Sequence, residues 1–203
     1  MTEPGSGQIQ AVILAPGPSE RFGKRNKLLF ELDGRPMLLR VVDAVMAGGV
    51  DKTVVVTGAD YALVTSLLRG YGVKLVRNER WPEGMGTSLA KGVEALDREN
   101  CEGILVCLGD LPFLSSGMVR RVIGVFRQQD CERIIVPKVK GRRGHPVIFP
   151  GSYGMELGKL DGDEGARSIL NSERENLTEV EVHSPEIFQD VDRQSDLPDS
   201  EME

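Results

Sequence analysis

The sequence predicts an α/β domain, a three-layer α/β/α arrangement with a Rossmann-like, mostly parallel sheet at its centre. Three observations carry that prediction. Short valine- and isoleucine-rich runs, the pattern of strands buried on both faces, recur along the 203 residues. Segments with helical spacing fall between them, and strand–helix–strand alternation favours parallel strands with helices on both faces. Glycine, proline or aspartate follows most of the runs, where turns are needed. The length suits one sizeable core and hardly two. Residues 9–193 are therefore expected to form a single domain between a flexible tail at 1–8 and an acidic tail at 194–203.

The elements follow in order. A first strand covers about Gln10 to Ala15, and Pro16-Gly17-Pro18 stops it. Asp33-Gly34 makes a turn, and a helix runs from Pro36 to about Ala47 before Gly48-Gly49. Lys52 to Thr57 is a second strand, Asp60 to Arg69 a helix closed by Gly70, and Val73 to Val76 a third strand. A glycine-containing loop, Asn78 to Ser88, leads into a helix of about Ser88 to Asp97, with Thr87 or Ser88 as its cap. Gly103 to Leu108 is a fourth strand. Ser115 to Gln128 has the helical spacing of a core-facing stripe at Met118, Val122, Val125 and Phe126. Arg133 to Val136 is a fifth strand, and 138–149 reads as a hairpin over the site. Asp163 is a suitable N-cap for a helix to about Asn171, and Glu179 to Val182 is a late strand.

Composition excludes several classes of function. A net charge of −6 argues against a general nucleic-acid surface, so a basic cluster in this chain reads as a local site. No apolar run approaches membrane-spanning length, and no signal-peptide pattern opens the chain. Three cysteines without a Cys-x-x-Cys pair suggest reduced thiols and a cytoplasmic setting. With only His145 and His183, and no zinc-type spacing, a metal ion here is expected to be hard and oxygen-ligated, Mg2+ first.

The residues suited to chemistry cluster in a few stretches. After the first strand come Arg21, Lys24, Arg25 and Lys27, four cations within seven positions and close to glycines, a composition that suits a phosphate-rich ligand. Neither the P-loop nor the dinucleotide fingerprint fits, because the glycine spacing is wrong for both and Lys24 is followed by Arg25. Asp110 follows the fourth strand, where open α/β sheets bind ligands; it is equally suited to hold a cation or to start the turn before Pro112. Asp190 and Asp192, two apart, share one side of an extended segment.

These stretches resemble a known family. Leu14-Ala15, Gly17, Ser19, Arg21-Phe22-Gly23 and Lys27 match the opening signature of nucleotidyltransferases of the molybdenum-cofactor cytidylyl- and guanylyltransferase type. Gly84-Met85-Gly86-Thr87-Ser88-Leu89, Leu108-Gly109-Asp110-Leu111-Pro112, Gly144-His145-Pro146, Gly162-Asp163-Glu164-Gly165-Ala166-Arg167 and Asp190-Val191-Asp192 are similar to later motifs of that family, in the same order. Pro16 and Arg193-Gln194-Ser195 depart from it. The resemblance implies the nucleotide-diphospho-sugar transferase fold and a Mg2+-dependent transfer of a nucleoside monophosphate to a phosphorylated acceptor, with release of pyrophosphate. It implies catalytic roles for Arg21, Lys27 and Asp110, and Mg2+ ligation by Asp110 and Asp192. Leu14, Ala15, Gly17, Ser19, Lys27, Gly84, Gly86 and Ser88 would surround the nucleotide, and His145 and Arg167 the acceptor. The Gly-His-Pro and Gly-Asp-Glu-Gly-Ala-Arg runs point to CTP rather than GTP and to molybdopterin as acceptor, with a molybdoenzyme or its maturation chaperone as partner. Nucleotide transfer to a sugar phosphate and non-catalytic binding of a pterin cofactor are the alternatives.

Overall fold

The computed structural model describes residues 7–17 and 26–182. The expected terminal tails fall mostly outside this span, as do Ser19, Arg21, Asp190 and Asp192. The first strand, β1 (Gln8–Ala15), starts two residues earlier than its sequence pattern indicated, because the Gln8 N–H bonds the Asn100 carbonyl. Asn26 and a 3-10 turn at Lys27–Leu29 lead to a small hairpin, β2 (Glu31–Leu32) and β3 (Arg35–Pro36). Asp33 and Gly34 form its two-residue turn at φ of 50° and 68°, left-handed values that these residue types tolerate best. Then follow α1 (Met37–Ala47), β4 (Lys52–Thr57), α2 (Tyr61–Leu67), β5 (Lys74–Arg77), α3 (Met85–Glu94), β6 (Cys101–Leu108), α4 (Ser116–Gln128) and β7 (Ile134–Val139). The chain continues through β8 (Arg142–Arg143), β9 (Val147–Pro150), α5 (Gly154–Leu157), α6 (Arg167–Ser172) and β10 (Leu177–Glu181).

The strands lie in the order β10-β7-β9-β6-β1-β4-β5, with β8 added to β7. Along this path β9 alone is reversed, antiparallel to both β6 and β7. Period-two alternation splits β1 between the faces: Ile9, Ala11, Ile13 and Ala15 join α1, α2 and α4 in one core, while Val12 and Leu14 join α3, α5 and α6 in the other. This is the expected mostly parallel, three-layer arrangement. Gln10 is fully buried on the second face, where its amide exchanges two 2.9 Å hydrogen bonds with the backbone of Asp97. A buried polar side chain satisfied in this way costs little. Helix α3 approaches β1 closely, since a Cβ on Gly92 would overlap Val12 and lie 2.8 Å from Val56 Cγ2.

Three expectations need correction. The 138–149 stretch is a hairpin only at β7–β8; Val147, Ile148 and Phe149 are buried and enter the sheet as β9 instead of lying over the site. Helix α3 begins at Met85, three residues early, with Gly84 at the cap position. Helix α6 begins at Arg167 after Ala166, so Asp163 does not cap it.

Candidate active site

The strand order reverses at β1. From it the chain moves outward through β4 and β5, then returns to place β6 on the opposite side. Ligands of open α/β sheets bind beyond the carboxyl ends of strands at such a point. Here the ends of β1 and β6 are tied together by the Gly109 N–H, which donates to the Leu14 carbonyl at 2.8 Å. Asp110 is therefore fixed beside the first loop.

Lys27 reaches the same place from the 3-10 turn. Asn26 caps that turn by accepting from the Leu28 N–H at 2.8 Å, and its own amide donates to Asp60 at 2.6 Å. Lys27 Nζ then lies 2.7 Å from Asp110 Oδ2, with the two side chains 16% and 23% exposed. Residues 83 positions apart thus converge at the carboxyl ends of the central strands β1 and β6. The other carboxylate oxygen, Asp110 Oδ1, is buried and has no hydrogen-bond partner among the described residues. An orphaned buried carboxylate oxygen is costly unless a ligand or cation completes it, so the donor chemistry fits a hard divalent ion. Among the described residues no three His, Cys, Asp or Glu side chains assemble into a metal site.

Beside this pair, over the face carrying α3 and α6, lies a cavity of about 810 Å³. Its floor includes Leu14, Leu89, Val106 and Val147; His145, Arg143, Arg167 and Arg174 supply polar groups, and Asp163 and Gly165 add a loop wall. The sheet and α6 thus bring His145 and Arg167 together. Nδ1 of His145 sits 3.4 Å from the Val106 carbonyl, and burial holds its imidazole below the usual pKa, with Asp110's charge opposing that shift. Arg143 bonds Glu179 at 2.8 Å, and Lys138 bonds the other Glu179 oxygen.

The Gly84-Met85-Gly86 segment is engaged differently from its sequence appearance. Gly84 has φ of 123°, which a side chain rarely adopts, and its bare Cα lies against the Gly162 carbonyl. A Cβ on Gly86 would fall 2.6 Å from the Asp161 carbonyl oxygen, and the Gly86 N–H donates to Gly162 O at 2.7 Å. Both glycines admit the 161–165 loop, and one amide of the helix start is already occupied. Ser88 is fully buried, its hydroxyl accepting from Asn78 Nδ2 at 2.9 Å, and the same amide group reaches Thr87. Leu14 lines the cavity and Gly17 is exposed at the end of the described first loop. Asn26, Asp60 and Asn78 position the site and were not singled out from sequence. Asn26 before Lys27 carries a local capping signal, whereas Asn78 acts through residues nine and ten positions on.

The pattern of the MobA-like NTP transferase domain matches residues 11–178, most of the chain. The protein belongs to this family. The nicotine blue oxidoreductase of Paenarthrobacter nicotinovorans is 30% identical over 190 residues, covering 91% of this chain and 92% of that protein. A probable molybdenum cofactor guanylyltransferase of Pyrococcus horikoshii is 26% identical over 201 residues, 94% and 97% of the two chains. The crystal structure of Rv0371c from Mycobacterium tuberculosis superposes with a TM-score of 0.83 at 28% identity, over 97% of this chain and 96% of that one. A complex of Rv0371c with manganese gives 0.78 at 26% identity, over 93% and 95%. This MobA-like chain therefore shares its α/β architecture with these solved structures over more than nine-tenths of its length. Among the described residues, no helix is long and apolar enough to cross a membrane.

Proposed function

We propose that this MobA-like protein transfers a nucleoside monophosphate, CMP from CTP first among the candidates, to a phosphorylated acceptor of the molybdopterin kind, releasing pyrophosphate. The observation that carries the reading is the Lys27–Asp110 pair, with Oδ1 orphaned among the described residues, set at the carboxyl ends of the central strands beside a large cavity. Nucleotidyl transfer needs alignment and charge neutralisation more than a covalent nucleophile. Lys27 would shift from Asp110 to the phosphate chain and stabilise charge at the α-phosphate and on the leaving pyrophosphate, with Arg21 assisting. Asp110, through Oδ1, and Asp192 would hold Mg2+; when bound, such an ion neutralises phosphate oxygens and orients them for in-line attack. Arg21, Ser19 and Asp192 lie outside the described residues, and their roles rest on the motif match alone.

The main chain around Leu14, Ala15 and Gly17 would border the nucleotide, with Ser19 and the Gly84–Ser88 segment beyond. For Gly84, Gly86 and Ser88 that contribution is positional, since their surfaces already serve the 161–165 loop and Asn78. His145 and Arg167 would line the acceptor's side of the cavity, with His145 neutral at pH 7. A molybdoenzyme or its maturation chaperone would receive the product.

The test is pyrophosphate release with Mg2+, each of the four common nucleoside triphosphates, and molybdopterin or sugar phosphates as acceptor. Release with CTP and molybdopterin supports the reading; tight binding without release refutes transfer. One relative is named a nicotine blue oxidoreductase, so reduction of nicotine blue is assayed alongside pyrophosphate release. Such reduction without pyrophosphate release would establish redox chemistry in place of nucleotidyl transfer.

A further inference from the structure

We propose that the far end of the cavity, at Arg143, Arg174 and Asn171, is a second anion subsite for the acceptor. The inference rests on the nucleotidyl-transfer reading and narrows its substrate: besides the phosphate that reacts, the acceptor carries another acidic group across an apolar body. The first support is the reach of the cavity. Its lining runs from Leu14 on β1 through Val106 on β6, Val147 on β9 and Val136 on β7 to Glu179 on β10. These strands are successive neighbours in the sheet, so the lining crosses four inter-strand steps, roughly 19 Å. Lys27 and Asp110 stand at one end, by β1 and β6. A small acceptor gripped there by a single phosphate would leave the β7–β10 end unfilled.

The second support is how the lining changes along that path. Its middle is apolar, with Val106, Val136, Val147 and Phe149 all buried. At the far end charge returns. Glu179 accepts from both Lys138 and Arg143, and these two cations hold its carboxyl below the usual range. Arg143 is also tied to α6, its guanidinium donating to the Leu170 carbonyl at 3.4 Å. It is thus held from two elements before any ligand arrives. Arg174 adds a further cation from the 3-10 turn before β10, and Asn171 adds an amide from α6. Among the described residues neither of these two side chains has a hydrogen-bond or ion-pair partner. Arg167 lines the cavity as well, but it shares its wall with Asp163 and Glu164, which offset its charge. The far end therefore keeps surplus positive charge and unused donors, in a chain whose net charge is −6. Guanidinium forks match a carboxylate or phosphate, and an anchored Arg143 lowers the ordering cost of binding one.

The test uses straight-chain α,ω-bisphosphonates of increasing length, each beside the monophosphonate of the same chain length. Binding is measured by calorimetry on the full-length protein with Mg2+ and α,β-methylene analogues of the four nucleoside triphosphates in turn. Long bisphosphonates should bind at least tenfold more tightly than their monophosphonates. Short ones, equal in charge but unable to span the cavity, should show no such gain. Arg174→Gln should abolish the gain, and Arg174→Lys should keep most of it. Nucleotide affinity within twofold of the parent protein in both variants guards against a merely unfolded chain. Equal binding of the two series at every length, or a gain that survives in Arg174→Gln, would overturn the subsite while leaving nucleotide binding intact. If no triphosphate analogue binds the parent protein, the nucleotidyl-transfer reading fails and the assignment to its acceptor falls with it.

Discussion

Replacing Lys27 with methionine separates a structural ion pair from a catalytic one. The pair is 2.7 Å long and its side chains are 16% and 23% exposed, between a surface contact and a buried one. Exposed pairs contribute up to about 1 kcal/mol, and breaking a fully buried pair costs about 3–5 kcal/mol. An intermediate loss of roughly 1–3 kcal/mol follows for Lys27→Met, since Asp110 would lose the partner of Oδ2 while Oδ1 has none among the described residues. For a chain of this size each kcal/mol moves the melting temperature by about 2–4 °C, so the variant should melt about 2–12 °C lower. Turnover should respond much more strongly. Losing one preorganised group that meets developing charge typically lowers kcat by about 100- to 1,000-fold. Pyrophosphate release is measured well below the variant's melting temperature, alongside a thermal melt. A melting shift in that range with kcat within fivefold of the parent protein would show that Lys27 only braces Asp110, and the charge-stabilising role would be lost.

Four further outcomes follow from the geometry. Gly86→Ala should displace the 161–165 loop, cost about 1–3 kcal/mol and raise the KM for the acceptor, checked by denaturant melts and steady-state kinetics. Gly92→Ala should cost a similar amount by crowding Val12 and Val56, yet leave kcat/KM within twofold, because the clash lies in the core away from the cavity. Burial lowers the folded pKa of His145 below 6.5, so between these two values the unfolded chain binds a proton that the folded chain does not. Its contribution therefore rises with pH up to about 6.5 and is level above, and His145→Gln should melt with a flatter dependence over pH 5–7 than the parent. Burial raises Cys101 and Cys131 to about 11 and Cys107 further still, so a thiol reagent at pH 7.5 should label none of the three quickly until denaturant is added.

The layers of the fold were legible because they depend on local patterns. Valine-rich β4 was delimited to the residue, and α4 was placed to within one residue, Ser115 standing just before it and accepting from the Met118 N–H. The reversed strand β9 was not legible. Val147-Ile148-Phe149 is apolar in any setting, and only its partners on β6 and β7 reveal a central strand instead of a covering hairpin. The start of α3 was misplaced for a related reason. Thr87 and Ser88 are good capping types, but Asn78 takes both hydroxyls as acceptors, and the Gly86 amide finds Gly162 across 76 positions. The glycines of this segment signalled close approach correctly; the sequence could not say whether a ligand or another loop approaches. At the site, Lys27 and Asp110 were each suited to phosphate or cation chemistry by type and position, and the structure joins them.

Pro16 shows how a departure from a motif can be read physically. At this position proline removes a donor, and in isolation that weakens a phosphate- or base-binding loop. In the folded chain the Pro16 carbonyl is held by Ala59, and the loop is pressed against Gly58 and, through it, Trp81. What the position loses in hydrogen bonding it gains in rigidity, because its φ is fixed and its carbonyl is anchored. Replacing Pro16 with alanine restores the N–H while leaving the Gly58 contact in place. If main-chain donation limits nucleotide affinity, Pro16→Ala should tighten binding of every nucleoside triphosphate. Unchanged affinity for all of these ligands would refute that limit and leave rigidity as what Pro16 contributes.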